Sequence, residues 1–225
     1  MTSNIRFLSN KDLKKFQNFV STNWNKKHIF TKNKRVISFF YNNKNKKKLN
    51  ILGMFQKNIL VGVLGLITYR NWDIKLNNDI FMAFMVKSNK FKEDITFRFF
   101  NTINKKIKPD LLAVSGFNSK IELIYKRLGH VCSFSHFYIL NPKLKPKISS
   151  KLLSKKNQLD KKTNLTLKVS KKITYLPPNQ YYPKKSLTYF KSKYLQNPFY
   201  KYFVINFYEE KKIVLLFICK KVYVK

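Results

Sequence analysis

Residues 111–141 read LLAVSGFNSKIELIYKRLGHVCSFSHFYILN, a strand–helix–strand pattern. Leu111 through Ser115 is a short apolar run ending in Gly116, Asn118 stands where a helix cap belongs, and Ile121, Ile124, Tyr125 and Leu128 recur at helical spacing. Gly129 closes the helix, because a residue without Cβ readily takes the left-handed conformation that ends helices. Residues 131–140 then predict a long strand rich in aromatic and apolar side chains.

Upstream, residues 91–108 predict a helix. Phe91, Ile95, Phe99, Ile103 and Ile107 fall at every fourth position, and Pro109 stops it. Before it, 80–86 read as a strand. Residues 51–55 and 59–69 read as a hairpin joined by Gln56-Lys57-Asn58, with Gly62 and Gly65 marking a bulge or a close backbone approach. Residues 5–8 predict a first strand. Ser9 or Asn10 then caps a helix to about Trp24, with Leu13, Phe16, Phe19 and Val20 on one face. Between 26 and 50 the pattern is weaker: His28-Ile29-Phe30 and 36–41 are apolar islands, and 42–48 is a polar, exposed loop. Strands interspersed with helices in this order imply a mixed sheet covered on its faces. The chain's 5 glycines all lie between Gly53 and Gly129, which supports a compact unit there.

The spacing Asn118-x-x-Ile121-x-x-x-Tyr125-x-x-x-Gly129-His130 resembles the acetyl-CoA-binding segment of the GNAT acyl-CoA N-acyltransferase superfamily. The run Ser135-His136-Phe137-Tyr138-Ile139-Leu140-Asn141 is similar to GNAT-like proteins associated with bacterial surface-polysaccharide synthesis. The resemblance implies an α/β (α+β) fold over residues 1–141: a GNAT-like mixed, mostly antiparallel sheet flanked by helices. It also implies acetyl-CoA or another acyl-CoA as co-substrate. The acceptor it implies is a small-molecule amine, on a sugar or nucleotide-sugar.

In that family two neighbouring strands splay apart, and exposed backbone groups hold the pantetheine arm. The resemblance therefore points to Phe84, Met85 and Val86, with a backbone N–H near Phe84 or Met85 polarising the thioester carbonyl. The pyrophosphate would rest where the next helix begins, near Lys90, Lys92 and Ile95, since unpaired N–H groups and the helix dipole favour anions there. The chain departs from the family in this loop. Asn89-Lys90-Phe91-Lys92-Glu93-Asp94-Ile95-Thr96 has no glycine, and Glu93 and Asp94 put negative charge beside the phosphate position. Tyr125 is the residue the resemblance offers as general acid to the leaving thiolate, while its place on an apolar helix face equally fits a core aromatic. Asn118 fits either a pantetheine contact or a helix cap.

For a general base the residues give Asp73, Asp79, His28 and His136, each with a structural alternative, and His130 is assigned to packing. The sequence carries no metal-ligand spacing, Ser-His-Asp set or phosphate-binding loop.

The net charge of +37 raises a rival function: a non-catalytic protein of the same fold that binds nucleic acid or an anionic glycan. Lysines spread over nearly every loop, together with abundant Asn, Ile, Phe and Tyr, match the residue bias of an AT-rich genome better, so nucleic acid is not the favoured partner. Cys132 and Cys219 read as buried thiols. Met1 to Ser9 lacks a signal-peptide core, and the longest apolar runs fall far short of the ~20 residues of a membrane span, so the sequence predicts a cytoplasmic protein.

Residues 142–171 are rich in Lys, Ser and Asn and read as a basic linker with room for one short strand. Residues 172–225 predict a short helix over 186–195, ended by Asn197-Pro198, and a hairpin of 202–208 with 213–223. This extension resembles part of a second GNAT repeat; it reads either as a partial second lobe or as a self-contained cap on the first domain, and no chemistry is expected in it.

Overall fold

The hairpin at the centre of the chain sets the sheet. In the computed structural model, which describes residues 3–43, 47–115, 119–133, 165–178 and 183–220, β3 (Lys48–Gln56) and β4 (Ile59–Thr68) pair antiparallel. Lys57 and Asn58 both take positive φ between them, the two-residue turn whose twist matches the strands it joins. β1 (Asn4–Ser9) adds to the far side of β3, and the two-residue β2 (Asn42–Asn43) pairs with one end of it. β5 (Ile80–Lys87) adds antiparallel to β4. Helix α4 (Thr96–Lys106) then carries the chain across to β6 (Leu112–Val114), parallel to β5. The strand order is β1-β3-β4-β5-β6, antiparallel except for the last pair.

Both faces of this sheet are covered. On one, Leu49, Ile51, Phe55, Val63 and Val86 pack with α1 (Leu13–Asn23), α2 (Ile29–Lys32) and α3 (Lys34–Tyr41) through Phe16, Val20, Phe30 and Ile37. On the other, Leu52, Met54, Leu64 and Leu66 are buried, and Ile95 and Phe99 lie against Gly62, whose missing Cβ admits them. The two apolar islands of the weak region are thus the short helices α2 and α3. His28 Nδ1 accepts from the Phe30 N–H and Asn33 Oδ1 from the Val36 N–H, capping their starts.

The predicted helix over 91–108 begins only at Thr96. Phe91 and Ile95 are buried as its periodicity suggested, but the Asp94 carboxylate accepts from the Thr96 N–H and marks the start. Lys108, with φ 50°, turns the chain out ahead of Pro109.

The chain divides into two units, Met1–Ser115 with Leu165–Lys225, and Gly116–Asn164. Within the first, β7 (Thr166–Ser170), β8 (Tyr202–Glu209) and β9 (Lys212–Lys220) form a separate antiparallel sheet. α6 (Leu187–Phe190), continued by a wider turn to Leu195, buries Tyr189 against Tyr69 in a cluster that includes Trp72. Ser186 Oγ donates to Asp73 in the same region.

The second unit is described at 119–133, where α5 (Ser119–Arg127) ends at Gly129 with φ 83°. Of the strand predicted at 131–140, residues 131–133 are irregular and 134–140 lie outside the described residues.

Candidate functional site

β6 meets β5 only at Ile80, Phe81 and Met82, so the second half of β5 has no strand on that side among the described residues. A register shift at Gly65/Leu66 inserts Ala83 as an extra residue in β5. The bulge decides which backbone groups face the open side. Ser88 N–H donates to Val61 C=O at 2.9 Å, and in an antiparallel ladder the groups facing a partner alternate by residue. Phe84 and Val86, opposite Gly65 and Val63, therefore turn their backbone groups to β4. Met85 and Lys87 turn theirs to the open edge. Of the two residues the sequence offers as oxyanion donor, the register selects Met85.

Phe84 instead anchors the strand through its side chain. Its ring lies 5.4–6.1 Å from those of Phe16, Trp24, Phe30 and Tyr41. A Cβ on Gly65 would come within 3.0 Å of three atoms of this ring. Val86 is buried in the same cluster of apolar side chains, so its contribution to the edge is structural.

The segment between β5 and α4 is tied to its surroundings by backbone groups. Phe91 N–H donates to Ser88 C=O at 3.0 Å, and Asn89 N–H donates to Asn23 Oδ1 at 3.4 Å. Lys90 and Lys92 are exposed, whereas the Ile95 side chain is buried and can offer a ligand only its backbone. Of the first-turn amides of α4, which have no acceptor within the helix, that of Thr96 is taken by Asp94. Glu93 is paired with Arg98 at 2.8 Å, which offsets its charge. Among the described residues, the segment thus offers an anion two exposed lysines and two first-turn amides, those of Phe97 and Arg98. One of the chain's own carboxylates already occupies the first position.

In the second unit Tyr125 is buried, and its ring meets His130 edge-on at 5.6 Å. Its backbone carbonyl accepts from the His130 N–H at 3.0 Å, closing the helix around Gly129. Burial pushes the phenol above its ordinary pKa, with a smaller contribution from Cys132, so Tyr125 carries its proton at neutral pH. Asn118 and His136 lie outside the described residues.

The candidate bases have structural duties. His28 caps α2, stacks on Trp24 at 4.1 Å and has its pKa lowered by burial. Asp73 accepts from Ser186 Oγ and from the Lys75 N–H, and these bonds hold its pKa down. Asp79 is buried, and its backbone carbonyl accepts from Tyr69 N–H. Among the described residues, no cluster of His, Cys, Asp and Glu suits a metal ion, and no helix is long and apolar enough to cross a membrane.

No family model matches the sequence, and no curated protein matches it. Among solved structures the chain is similar to a GNAT family acetyltransferase of Staphylococcus aureus, at 16% identity over 62% of this chain and 98% of that one, with a TM-score of 0.43. It is also similar to AAC(6')-Iy in complex with a bisubstrate analogue of CoA, at 10% identity over 63% and 99% of the two chains, TM-score 0.46. A third likeness is to a ribosomal-protein-alanine N-acetyltransferase of Brucella melitensis, at 11% identity over 61% and 98%, TM-score 0.42.

Proposed function

We propose that this chain is a GNAT-type N-acyltransferase that moves an acyl group, acetyl in the first instance, from acyl-CoA to a small-molecule amine. The observation that carries the reading is the edge of β5 beside its bulge, open among the described residues, where the Met85 and Lys87 backbone groups face outward for a ligand to pair with as another strand would. That edge fits a pantetheine arm. The loop before α4 fits a pyrophosphate less well, and Lys90, Lys92 and the Phe97 and Arg98 amides are the groups that would hold it.

In this reading bound acyl-CoA supplies a thioester carbonyl. The Met85 N–H takes up the charge that collects on the carbonyl oxygen as the amine nitrogen bonds to carbon. The resemblance gives the Tyr125 phenol, protonated at neutral pH, the role of proton donor to sulfur as the C–S bond breaks. The proton lost by the amine passes to solvent, which returns one to the phenolate. The amine of a sugar or nucleotide-sugar is the acceptor proposed, on the resemblance of residues 135–141.

The test is acetyl transfer to a panel of amino sugars and their nucleotide derivatives, with Tyr125→Phe alongside. Transfer by the wild type that falls by about 10²-fold or more in a Tyr125→Phe protein of unchanged melting temperature supports the assignment. Intact transfer in the variant removes Tyr125 from the role.

Asp94 at the start of α4 favours a second reading: a non-catalytic protein of the same fold that binds a polyanion, nucleic acid or anionic glycan, through its basic surface. That reading predicts affinity falling steeply with salt, and a flat salt response contradicts it.

A further inference from the structure

At the opposite end of the sheet from the Met85 edge, a cleft of about 660 Å³ opens among the ends of β3, β4 and α4 and the segment after β4. Its polar wall is built of amides. Asn50, buried at the start of β3, accepts from Asn43 Nδ2 at 3.2 Å and donates to Thr68 Oγ1 at 3.4 Å and to Asn71 Oδ1 at 3.3 Å. These bonds leave two donors over. Asn71 Nδ2 and Trp72 Nε1 belong to residues lining the cleft, and both are shielded from solvent with no acceptor among the described residues. A buried donor without an acceptor costs on the order of 1–3 kcal/mol, so a polar wall left in this state favours any acceptor that reaches it.

The charge around the cleft points the same way. Lys48, Arg70 and Lys106 line it, and none forms an ion pair among the described residues. Among the described residues, Arg70 donates its Nε–H to Leu76 C=O, and Lys106 donates one proton to Ile5 C=O. The one carboxylate among the described lining residues, Asp73, is held by Ser186 Oγ and the Lys75 N–H. Among these residues, three cations against one carboxylate leave a local excess of two positive charges.

We infer that this cleft is a binding site, separate from the β5 edge, for a small oxyanion-bearing molecule: a phosphate or carboxylate group on a body of sugar size. The volume lies within the range of small-molecule pockets and exceeds a bare ion. In the conformation seen, the two leftover donors are closed off from the cleft. Rotation of the Asn71 side chain, released from its long bond to Asn50, brings its amide to the ligand and opens the way to the indole.

The chain has two tryptophans, Trp24 and Trp72. In a Trp24→Phe background, Trp72 alone reports on the cleft. Its fluorescence is titrated at fixed ionic strength with glucose 6-phosphate, citrate and glucose. A saturable change is expected with glucose 6-phosphate or with citrate, the responding probe identifying the oxyanion, and none with glucose. Asn71→Ala, which leaves the charge unchanged, should weaken that binding about tenfold or more. Lys48→Gln, an exposed change that spares the fold, should weaken it as well. No saturable response to either anion, an equal response to glucose, or a response untouched by both substitutions overturns the proposal. Acetyl transfer plays no part in the readout, so its outcome is independent of the β5 site.

Discussion

Gly65→Ala should uncouple the bulge from the aromatic cluster that holds it. The added methyl would come within 3.0 Å of three atoms of the Phe84 ring, so the ring or strand β5 must move. Phe84 contacts four other aromatic rings at 5.4–6.1 Å, and such pairs are worth about 0.5–1.5 kcal/mol each beyond their buried area. Overpacking alone costs roughly 1–3 kcal/mol. Losing some ring contacts while relieving the clash gives a net cost of roughly 2–4 kcal/mol. Urea denaturation reads it as a fall in midpoint at unchanged slope. The decisive comparison is the same substitution in a Phe84→Ala background, where the space is empty. There Gly65→Ala should be neutral, or stabilising by about 0.5–1 kcal/mol as expected of glycine replaced within a strand. The coupling between the two positions should then exceed about 2 kcal/mol. An equal cost in both backgrounds would refute the account of Gly65 and of how Met85 is positioned.

Asp12 accepts both Arg6 guanidinium bonds at 2.8 Å, together with the Ser9 N–H and hydroxyl, and these hold its carboxyl well below the usual carboxylate range. Because the folded pKa is depressed, the stabilisation is present above the unfolded value. Asp12→Asn should thus cost about 1.5–3 kcal/mol at pH 7, and the gap to wild type should close as pH falls below about 4. Lys193 is the opposite case. Burial, with help from Lys185, lowers its pKa to about 8, and its ammonium donates to Tyr189 Oη at 2.6 Å. Between about pH 8 and 10.4 the unfolded chain binds more protons at this position, so its contribution to stability rises with pH. Lys193→Met should raise the urea midpoint at pH 7, by an amount that shrinks towards pH 10. Asp94→Gly should free the Thr96 N–H and remove a negative charge, tightening acetyl-CoA binding several-fold by calorimetry. An unchanged affinity would show that phosphate does not rest at this helix start.

The sheet was legible where burial follows local periodicity. Gly62 and Gly65 read as points of close approach in the hairpin's second strand, and each does stand under a large side chain, Ile95 for one and Phe84 for the other. That the far half of β5 lacks a partner strand among the described residues was expected only by resemblance. Choosing Met85 over Phe84 needed the ladder register, which one inserted residue reverses and no local pattern reveals. Helices α2 and α3 escaped because 4 and 8 residues are too few for a periodic signal and one cap is a histidine, an unusual choice. His28 was a candidate base by residue type alone, and its bond to the Phe30 N–H gives it a structural duty instead. The start of α4 was misplaced because Phe91 and Ile95 are buried ahead of the helix and mimic its spacing. The cleft of Asn43, Asn50 and Asn71 was invisible for a different reason. Asparagines scattered through an Asn-rich chain acquire meaning only when three strand and loop ends bring them together.

The most direct test of the central claim is a thermal-shift titration of the purified chain with acetyl-CoA and desulfo-CoA, with ATP as the polyanion control at matched ionic strength. A ligand that binds only the native state adds RT ln(1 + [L]/Kd), or about 2.7 kcal/mol at 100 times Kd. The account predicts stabilisation by both CoA compounds and not by ATP. Equal shifts with all three, or none, would contradict an acyl-CoA site at the β5 edge.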